Sequence, residues 1–221
     1  MGVVLVAAGL GTRLGAEQPK GFVRVAGVTL VEHAIRRALG SATTGQVVVV
    51  APASHLGEAG ALLSGDPRVN DVSVVAGGDQ RSRSVAAGLA ALREDVDVVL
   101  VHDAARCLAP SDLFDRLVDA VRAGHDAVVP GLPVADTIKQ VDAEGRVVAT
   151  PERSRLRAIQ TPQAFRRSVL QAAHAAGGDA TDDAALVERA GGTVLVVDGD
   201  ELAFKVTTPA DLDRAGRILG S

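Results

Sequence analysis

Five short, valine-rich apolar runs, at 3–7, 47–51, 72–76, 97–101 and 127–130, alternate with stretches of helical periodicity near 29–39, 54–64, 81–93 and 111–123. Runs of four or five mostly β-branched residues without polar alternation read as strands buried on both faces. That is the signature of a parallel sheet covered by helices on either side. The pattern predicts an α/β fold with a doubly wound, mostly parallel sheet. Such sheets take their ligands beyond the carboxyl ends of the strands.

After residue 130 the rhythm changes. Pro130, Pro133, Pro151 and Pro162 punctuate short segments at 137–141 and 146–150, with Asp142-Ala143-Glu144-Gly145 between them as a hairpin turn. This reads as a β-hairpin arm, at about 132–152, inserted into a single domain spanning 1–221. Alternation then resumes with helices near 166–175 and 181–190, a strand at 193–197, a short strand ending at Val206 and a last helix from about 209. No internal repeat, low-complexity tract or linker interrupts the chain.

The loop after the first strand carries Gly9, Gly11 and Gly15 together with two cations, Arg13 and Lys20. Glycines let backbone N–H groups approach an anion, and successive N–H groups form a positive concavity. Two cations in the same loop suit a polyphosphate whose charge is neutralised during reaction. A dinucleotide fingerprint fails because its third glycine arrives one residue late, with Leu14 in its place, and a P-loop fails for want of Gly-Lys-Ser/Thr. An ordinary strand-to-helix loop is the plainer alternative.

Composition narrows the partners. Trp and Tyr are absent and Phe occurs 4 times, which leaves no base-stacking platform of the single-strand-binding kind. With 23 basic against 27 acidic residues the net charge is −4, giving no general attraction to nucleic acid or membrane. The single Cys107 excludes an intrachain disulfide and a cysteine metal cluster. No apolar run has membrane-spanning length and no signal sequence is evident, so a cytoplasmic protein is expected.

Four further clusters carry chemistry. Gly77-Gly78-Asp79-Gln80-Arg81-Ser82-Arg83-Ser84 opens a helix: Asp79 either caps it, or the backbone at 77–79 and the Ser84 hydroxyl read the edge of a base. His102-Asp103-Ala104-Ala105-Arg106 follows the most apolar strand. Asp103 there suits a Mg²⁺ ligand or ribose contact, with pairing to Arg106 as the structural alternative, and His102 reads as a hydrogen-bonding core residue. The third cluster joins Thr137 on the arm, Arg153 beyond it and Thr161-Pro162-Gln163; the run from Arg153 to Arg157 also reads as a solvated basic face. In the fourth, Phe204-Lys205-Val206-Thr207, the lysine either faces a phosphate or protects an edge strand, ahead of a helix-capping Thr-Thr-Pro. No Ser-His-Asp or Cys-His arrangement is present.

In this order and spacing the motifs resemble those of the 2-C-methyl-D-erythritol 4-phosphate cytidylyltransferases of the non-mevalonate isoprenoid pathway. The resemblance runs nearly end to end: Ala7-Ala8-Gly9-x-Gly11-x-Arg13, Pro19-Lys20, Gly77-Gly78-Asp79-x-Arg81-x-x-Ser84-Val85 and His102-Asp103-Ala104-Ala105-Arg106. It continues through Asp136-Thr137, Thr161-Pro162-Gln163, Thr181-Asp182-Asp183 and Lys205-Val206-Thr207. It implies a Rossmann-like nucleotidyltransferase that joins CTP to a sugar-alcohol phosphate and releases pyrophosphate. By the same resemblance Ala7, Ala8, Gly9, Gly11, Gly78, Asp79 and Ser84 hold the cytidine, and Asp103 lies at the ribose and at a Mg²⁺ bound mainly with CTP. Arg13, Lys20, Arg153 and Lys205 are the implied catalytic residues. Ala104, Arg106, Thr137 and Thr161, with Arg153 and Lys205, are the implied contacts of the methylerythritol phosphate. The family's members are homodimers whose arm crosses to the neighbour, so Thr137 and Arg153 are expected to serve the partner's site. Two positions depart from the family pattern: Cys107 stands where proline is usual, and Phe204 where a polar residue often precedes the lysine. Ribitol-5-phosphate cytidylyltransferases share the nucleotide motifs and form the enzymatic alternative. A non-catalytic nucleotide-binding regulator is the alternative of another class, disfavoured by the presence of Arg13, Lys20 and Asp103.

Overall fold

The structure, a computed structural model, describes residues 1–9, 14, 18–62, 64, 66–177 and 180–220. The expectations for Gly11, Arg13 and Gly15 lie outside the described residues.

The valine-rich runs form five strands of an eight-stranded sheet. Strands β1 (Gly2–Val6), β4 (Gln46–Ala51), β5 (Val72–Ala76) and β6 (Val98–Asp103) pair in parallel in the order β5-β4-β1-β6. Both faces are apolar because successive side chains alternate sides. Val3, Leu5, Val47, Val49 and Leu100 enter one core, and Val4, Val48, Val50, Val99 and Val101 the other. Helices α1 (Leu30–Leu39) and α4 (Ser111–Arg122) supply Leu30, Ile35, Leu113 and Phe114 to the first core. Helices α3 (Arg81–Ala90), α5 (Arg167–Ala176) and α6 (Asp183–Arg189) supply Val85, Leu89, Leu170 and Val187 to the second. The doubly wound expectation is met.

Beyond β6 the sheet ceases to be purely parallel. Strand β11 (Gln163–Arg166) inserts antiparallel between β6 and β7 (Ala127–Pro133). Strand β10 (Arg157–Ile159) continues antiparallel along β7, and β12 (Val194–Asp198) pairs with β7 in parallel. Pro130 reads in the sequence as a stop, yet β7 runs through it to Pro133. The antiparallel partner changes from β11 to β10 around this position, where a missing N–H breaks least of the ladder.

The arm is present, with strands shorter than expected: β8 (Gln140–Val141) and β9 (Val147–Ala149) form a two-stranded sheet of their own. Its turn is set by the Asp142 carboxylate, which accepts from the N–H groups of Glu144 and Arg146, and by Gly145 at φ 80°. A second two-stranded ribbon, β2 (Arg24–Val25) with β3 (Val28–Thr29), leads into α1. Apart from the 54–64 stretch the helical expectations hold; that stretch yields only α2 (Leu56–Ala61) in described residues.

Two elements differ from the sequence reading. Residues 204–206 are not a strand: Glu201–Ala203 is a 3-10 turn and the chain beyond it is held by single bonds rather than a ladder. The edge-strand explanation for Lys205 therefore falls. The last helix, α7 (Pro209–Leu219), begins as expected, with Thr208 and Asp211 forming a reciprocal capping box and Pro209 in the first turn. Among the described residues no helix is long and apolar enough to cross a membrane.

Candidate active site

A cleft of about 290 Å³ opens at the carboxyl ends of β1 and β6, beside the point where β1 has β4 on one side and β6 on the other. That is the topological switch point at which doubly wound sheets bind ligands. Its walls come from four separated segments. Val6 to Gly9 leave β1, Lys20 and Gly21 follow, Gly78 to Arg81 and Ser84 lead into α3, and Asp103 to Ala105 end β6, with Lys205 closing one side. Of the residues expected at the site, Ala7, Ala8, Gly9, Lys20, Gly78, Asp79, Ser84, Asp103, Ala104 and Lys205 are brought together here.

The backbone is packed tightly enough to need glycine. A Cβ at Gly77 would lie 2.6 Å from the Ala8 Cβ and 2.9 Å from the Ser84 Oγ, so the loop after β5 closes against the loop after β1 only without a side chain. A Cβ at Gly9, by contrast, would meet no atom of the described residues within 4 Å, since that backbone borders the cleft.

Asp103 is the last residue of β6, inside the strand rather than after it. Its carboxylate accepts a 2.7 Å hydrogen bond from Lys205 Nζ and faces Arg81 Nε at 3.7 Å. Burial by itself would raise this carboxyl; Lys205 and Arg81 outweigh it and hold Asp103 below the usual carboxylate range. Arg81 in turn donates at 2.7 Å to Asp183, a carboxylate wholly inside the protein, whose other oxygen lies 2.9 Å from His174 Nε2 on α5. Burial opposes the Arg81 charge too, but Asp183 and Asp103 more than restore it.

The sequence reading quoted Arg81 and Asp183 within motifs and gave neither a role. The available signal was spacing: Arg81 and Ser84 are three apart on α3 and so share the face that lines the cleft.

Several expectations change on inspection. Asp79 does not cap α3; Gln80 occupies that position without a side-chain cap, and Asp79 pairs with Arg83 one turn on. The N–H groups of Gly77 and Gly78 donate to Ala51 O and Ser84 Oγ, so these two donors are already engaged and Ser84 shapes the loop from behind. Thr161 is buried: its hydroxyl accepts from the Asp103 N–H at 3.0 Å and hydrogen-bonds His102 Nδ1. Arg106 makes no ion pair with Asp103. Its guanidinium donates instead to Ala203 O and Ile159 O, away from the cleft walls. Thr137 and Arg153 are exposed on and beside the arm, where Arg153 donates to Ala135 O.

Among the described residues the cleft offers no activated nucleophile. His102 is fully buried against Phe114 and burial pushes it down to about 4, so it is neutral at pH 7, as the core reading expects. Burial pushes the Cys107 thiol up to about 11. What the walls supply is charge: Lys20, Arg81 and Lys205 line the cleft with the carboxylates of Asp103 and Asp79. Among the described residues no group of three His, Cys, Asp or Glu side chains could cage a metal. A lone carboxylate at the floor does fit a Mg²⁺ that takes most of its ligands from phosphate and water.

The family model of 2-C-methyl-D-erythritol 4-phosphate cytidylyltransferase matches residues 1–221. The chain belongs to this family. The cytidylyltransferase of that name from Nocardia farcinica is 51% identical over 96% of this chain and 91% of its own length. The "Bifunctional enzyme IspD/IspF" of Clavibacter michiganensis is 54% identical over 99% of this chain, which spans 54% of that protein's length. Among solved structures, the 4-diphosphocytidyl-2C-methyl-D-erythritol synthase of Anaerococcus prevotii superposes with a TM-score of 0.87 at 27% identity, covering 100% of this chain and 96% of the other. The cytidylyltransferase of Thermus thermophilus gives 0.79 at 33% identity, with 99% and 98% covered. The chain thus shares its fold with these two structures.

Proposed function

We propose that this chain transfers the cytidylyl group of CTP to 2-C-methyl-D-erythritol 4-phosphate, giving 4-diphosphocytidyl-2-C-methyl-D-erythritol and pyrophosphate. The observation that carries the reading is the convergence of Ala7-Ala8-Gly9, Lys20, Asp103 and Lys205 on one cleft at the switch point of a chain belonging to this family.

In this reaction an oxygen of the acceptor's phosphate attacks the α-phosphorus of CTP. A new P–O bond forms as the bond to the β-phosphate oxygen breaks, and pyrophosphate leaves with that electron pair. The nucleophile is already an anion at pH 7, so no general base is required, which agrees with a cleft lacking an activated nucleophile. What the step needs is charge neutralisation and in-line placement. Lys20, with Arg13, neutralises the triphosphate, and Lys205 takes the acceptor's phosphate. The cytidine rests on Ala7, Ala8 and Gly9 and on the loop of Gly78, Asp79 and Ser84, with Ala104 at the acceptor. Asp103 would hold Mg²⁺ together with the phosphate oxygens of CTP, and the bound ion would add to the neutralisation of charge.

The chain acts as one domain in a cytoplasmic homodimer, its contact made by the arm at about 132–152. Ile138, Val141, Val147 and Val148 are 40–58% exposed there, an apolar surface that a two-stranded hairpin has nothing of its own to cover. Thr137 and Arg153 flank that surface, and in an isologous pair they complete the neighbour's acceptor site. The test is pyrophosphate release from CTP with each acceptor in turn. Turnover with methylerythritol phosphate and little with ribitol 5-phosphate supports the reading. The reverse preference, or nucleotide binding without turnover, refutes it.

A further inference from the structure

We infer that Arg106 is a positioning residue: it clamps the segment carrying Lys205 so that the lysine projects into the cleft, and it ties that segment to β10 at the root of the arm. The inference rests on the functional reading above for what Lys205 does, but not for how Lys205 is held.

Lys205 sits on a segment with little support of its own. Glu201–Ala203 is a single 3-10 turn, and the chain from Phe204 to Val206 belongs to no strand. Three residues at the end of β6 and just beyond it grip this segment in register. The Asp103 carboxylate takes the Lys205 ammonium at 2.7 Å, Ala105 O accepts from the Val206 N–H at 2.8 Å, and Arg106 Nη1 donates to Ala203 O at 2.7 Å. The backbone is thus fixed on both sides of Lys205, two residues before it and one after. Ala203 and Val206 are buried, which leaves Lys205 on the outward side between two anchored neighbours. Arg214 lies over the Phe204 ring, 4.2 Å from its centroid, and covers the remaining side chain of the segment.

The second half of the Arg106 fork reaches elsewhere. Nη2 donates at 3.3 Å to Ile159 O, the last residue of β10, which leads back to Arg153 and the arm. A planar guanidinium spans two carbonyls from separate segments at once, and an ammonium offers one point charge and no fixed fork. Nη1 and Nη2 each give one N–H to a backbone carbonyl, and Arg106 is absent from the cleft lining.

The experiment compares hydrogen exchange in the unliganded full chain with steady-state kinetics, for wild type, Arg106→Lys and Arg106→Gln. Faster exchange in peptides covering 201–207, by about 10-fold, is expected in both variants, with α3 unchanged. Turnover falls about 10-fold or more in both, because a displaced Lys205 loses alignment, and KM for CTP stays within about 2-fold. Arg106→Lys fails despite keeping the charge. Ala203→Gly, which leaves Arg106 in place but slackens the turn it holds, reproduces the pattern in milder form and serves if the Arg106 variants do not fold. Wild-type exchange at 201–207 in these variants, or an Arg106→Lys protein with normal turnover, overturns the inference. Because exchange is read without substrate, the clamp can be verified even where the proposed reaction fails.

Discussion

Asp183→Asn isolates the contribution of one buried charge to the floor of the site. Asp183 has 1% of its side chain exposed and neutralises Arg81, which otherwise has only Asp103 at 3.7 Å. Asparagine keeps the shape: its oxygen can still accept from Arg81, and its amide can donate to His174 Nε2 in the other tautomer. The loss is therefore mainly charge, and removing one member of a buried pair costs about 3–5 kcal/mol. The retained hydrogen bonds place this variant at the lower end, about 3 kcal/mol. For a chain of this size that lowers Tm by roughly 6–12 °C. The assays are thermal unfolding and urea unfolding at pH 7.5, the m-value checked against wild type, followed by the double variant Arg81→Met/Asp183→Leu. Replacing both partners by apolar groups should recover much of the loss, leaving a coupling energy of about 1–3 kcal/mol. A Tm within about 2 °C of wild type for Asp183→Asn, or strictly additive single and double variants, refutes the argument that this pair is held by charge.

Three further outcomes are expected. Lys20→Ala lowers kcat by about 100-fold or more if, as proposed, its charge acts on the breaking bond; a raised KM for CTP with normal kcat would show that it only binds. His102 contributes a pH dependence. It protonates at about 4 when folded and near 6.5 when unfolded, so the unfolded chain takes the proton first as pH falls through that window, and at pH 5 the folded state has lost about 2 kcal/mol relative to pH 7.5. His102→Gln removes that difference, and identical pH profiles for the two proteins would contradict it. Mixing Arg153→Ala with Lys20→Ala chains restores activity if each acceptor site is shared across the dimer, because both lesions then fall in one site and leave the other intact; confirmed heterodimers with no recovery would place Arg153 in its own subunit's site.

The parallel half of the fold was legible because its strands are buried on both faces and hence continuously apolar, as in Val47 to Val50 and Val98 to Val101. The start of α7 was legible for a local reason, the cap at Thr208 and Pro209. Strands β10 and β11 were not. Each has three or four residues, their pairing is with distant segments, and Gln163 and Arg166 give β11 no clear period. At the site, the sequence located the segments that meet but not the direction of each side chain. Arg106 follows Asp103 closely enough to suggest a pair, and only the fold shows two carbonyls lying within reach of its fork. Thr161 and Ser84 carry hydroxyls suited to a ligand, and the backbone N–H groups of Asp103 and Gly78 claim them first. Such competition from the protein's own donors leaves no mark in a sequence.

Magnitudes separate the two cations that Asp103 holds. Lys205 makes the shorter contact, 2.7 Å, but is 43% exposed, so water competes for its ammonium and weakens the pair towards the about 0–1 kcal/mol of solvent-open ion pairs. Arg81 stands farther from Asp103, yet it is fixed from behind by Asp183, and breaking that buried contact carries the larger cost estimated above. An incoming phosphate can therefore draw Lys205 away from Asp103 for little, whereas Arg81 stays in place. In the proposed reaction the carboxylate would keep a cation beside it when the lysine turns to the acceptor's phosphate. The pair nearest the reaction is the weak one, and the strong one lies a layer deeper, which is the order needed for a site that exchanges partners without losing its shape.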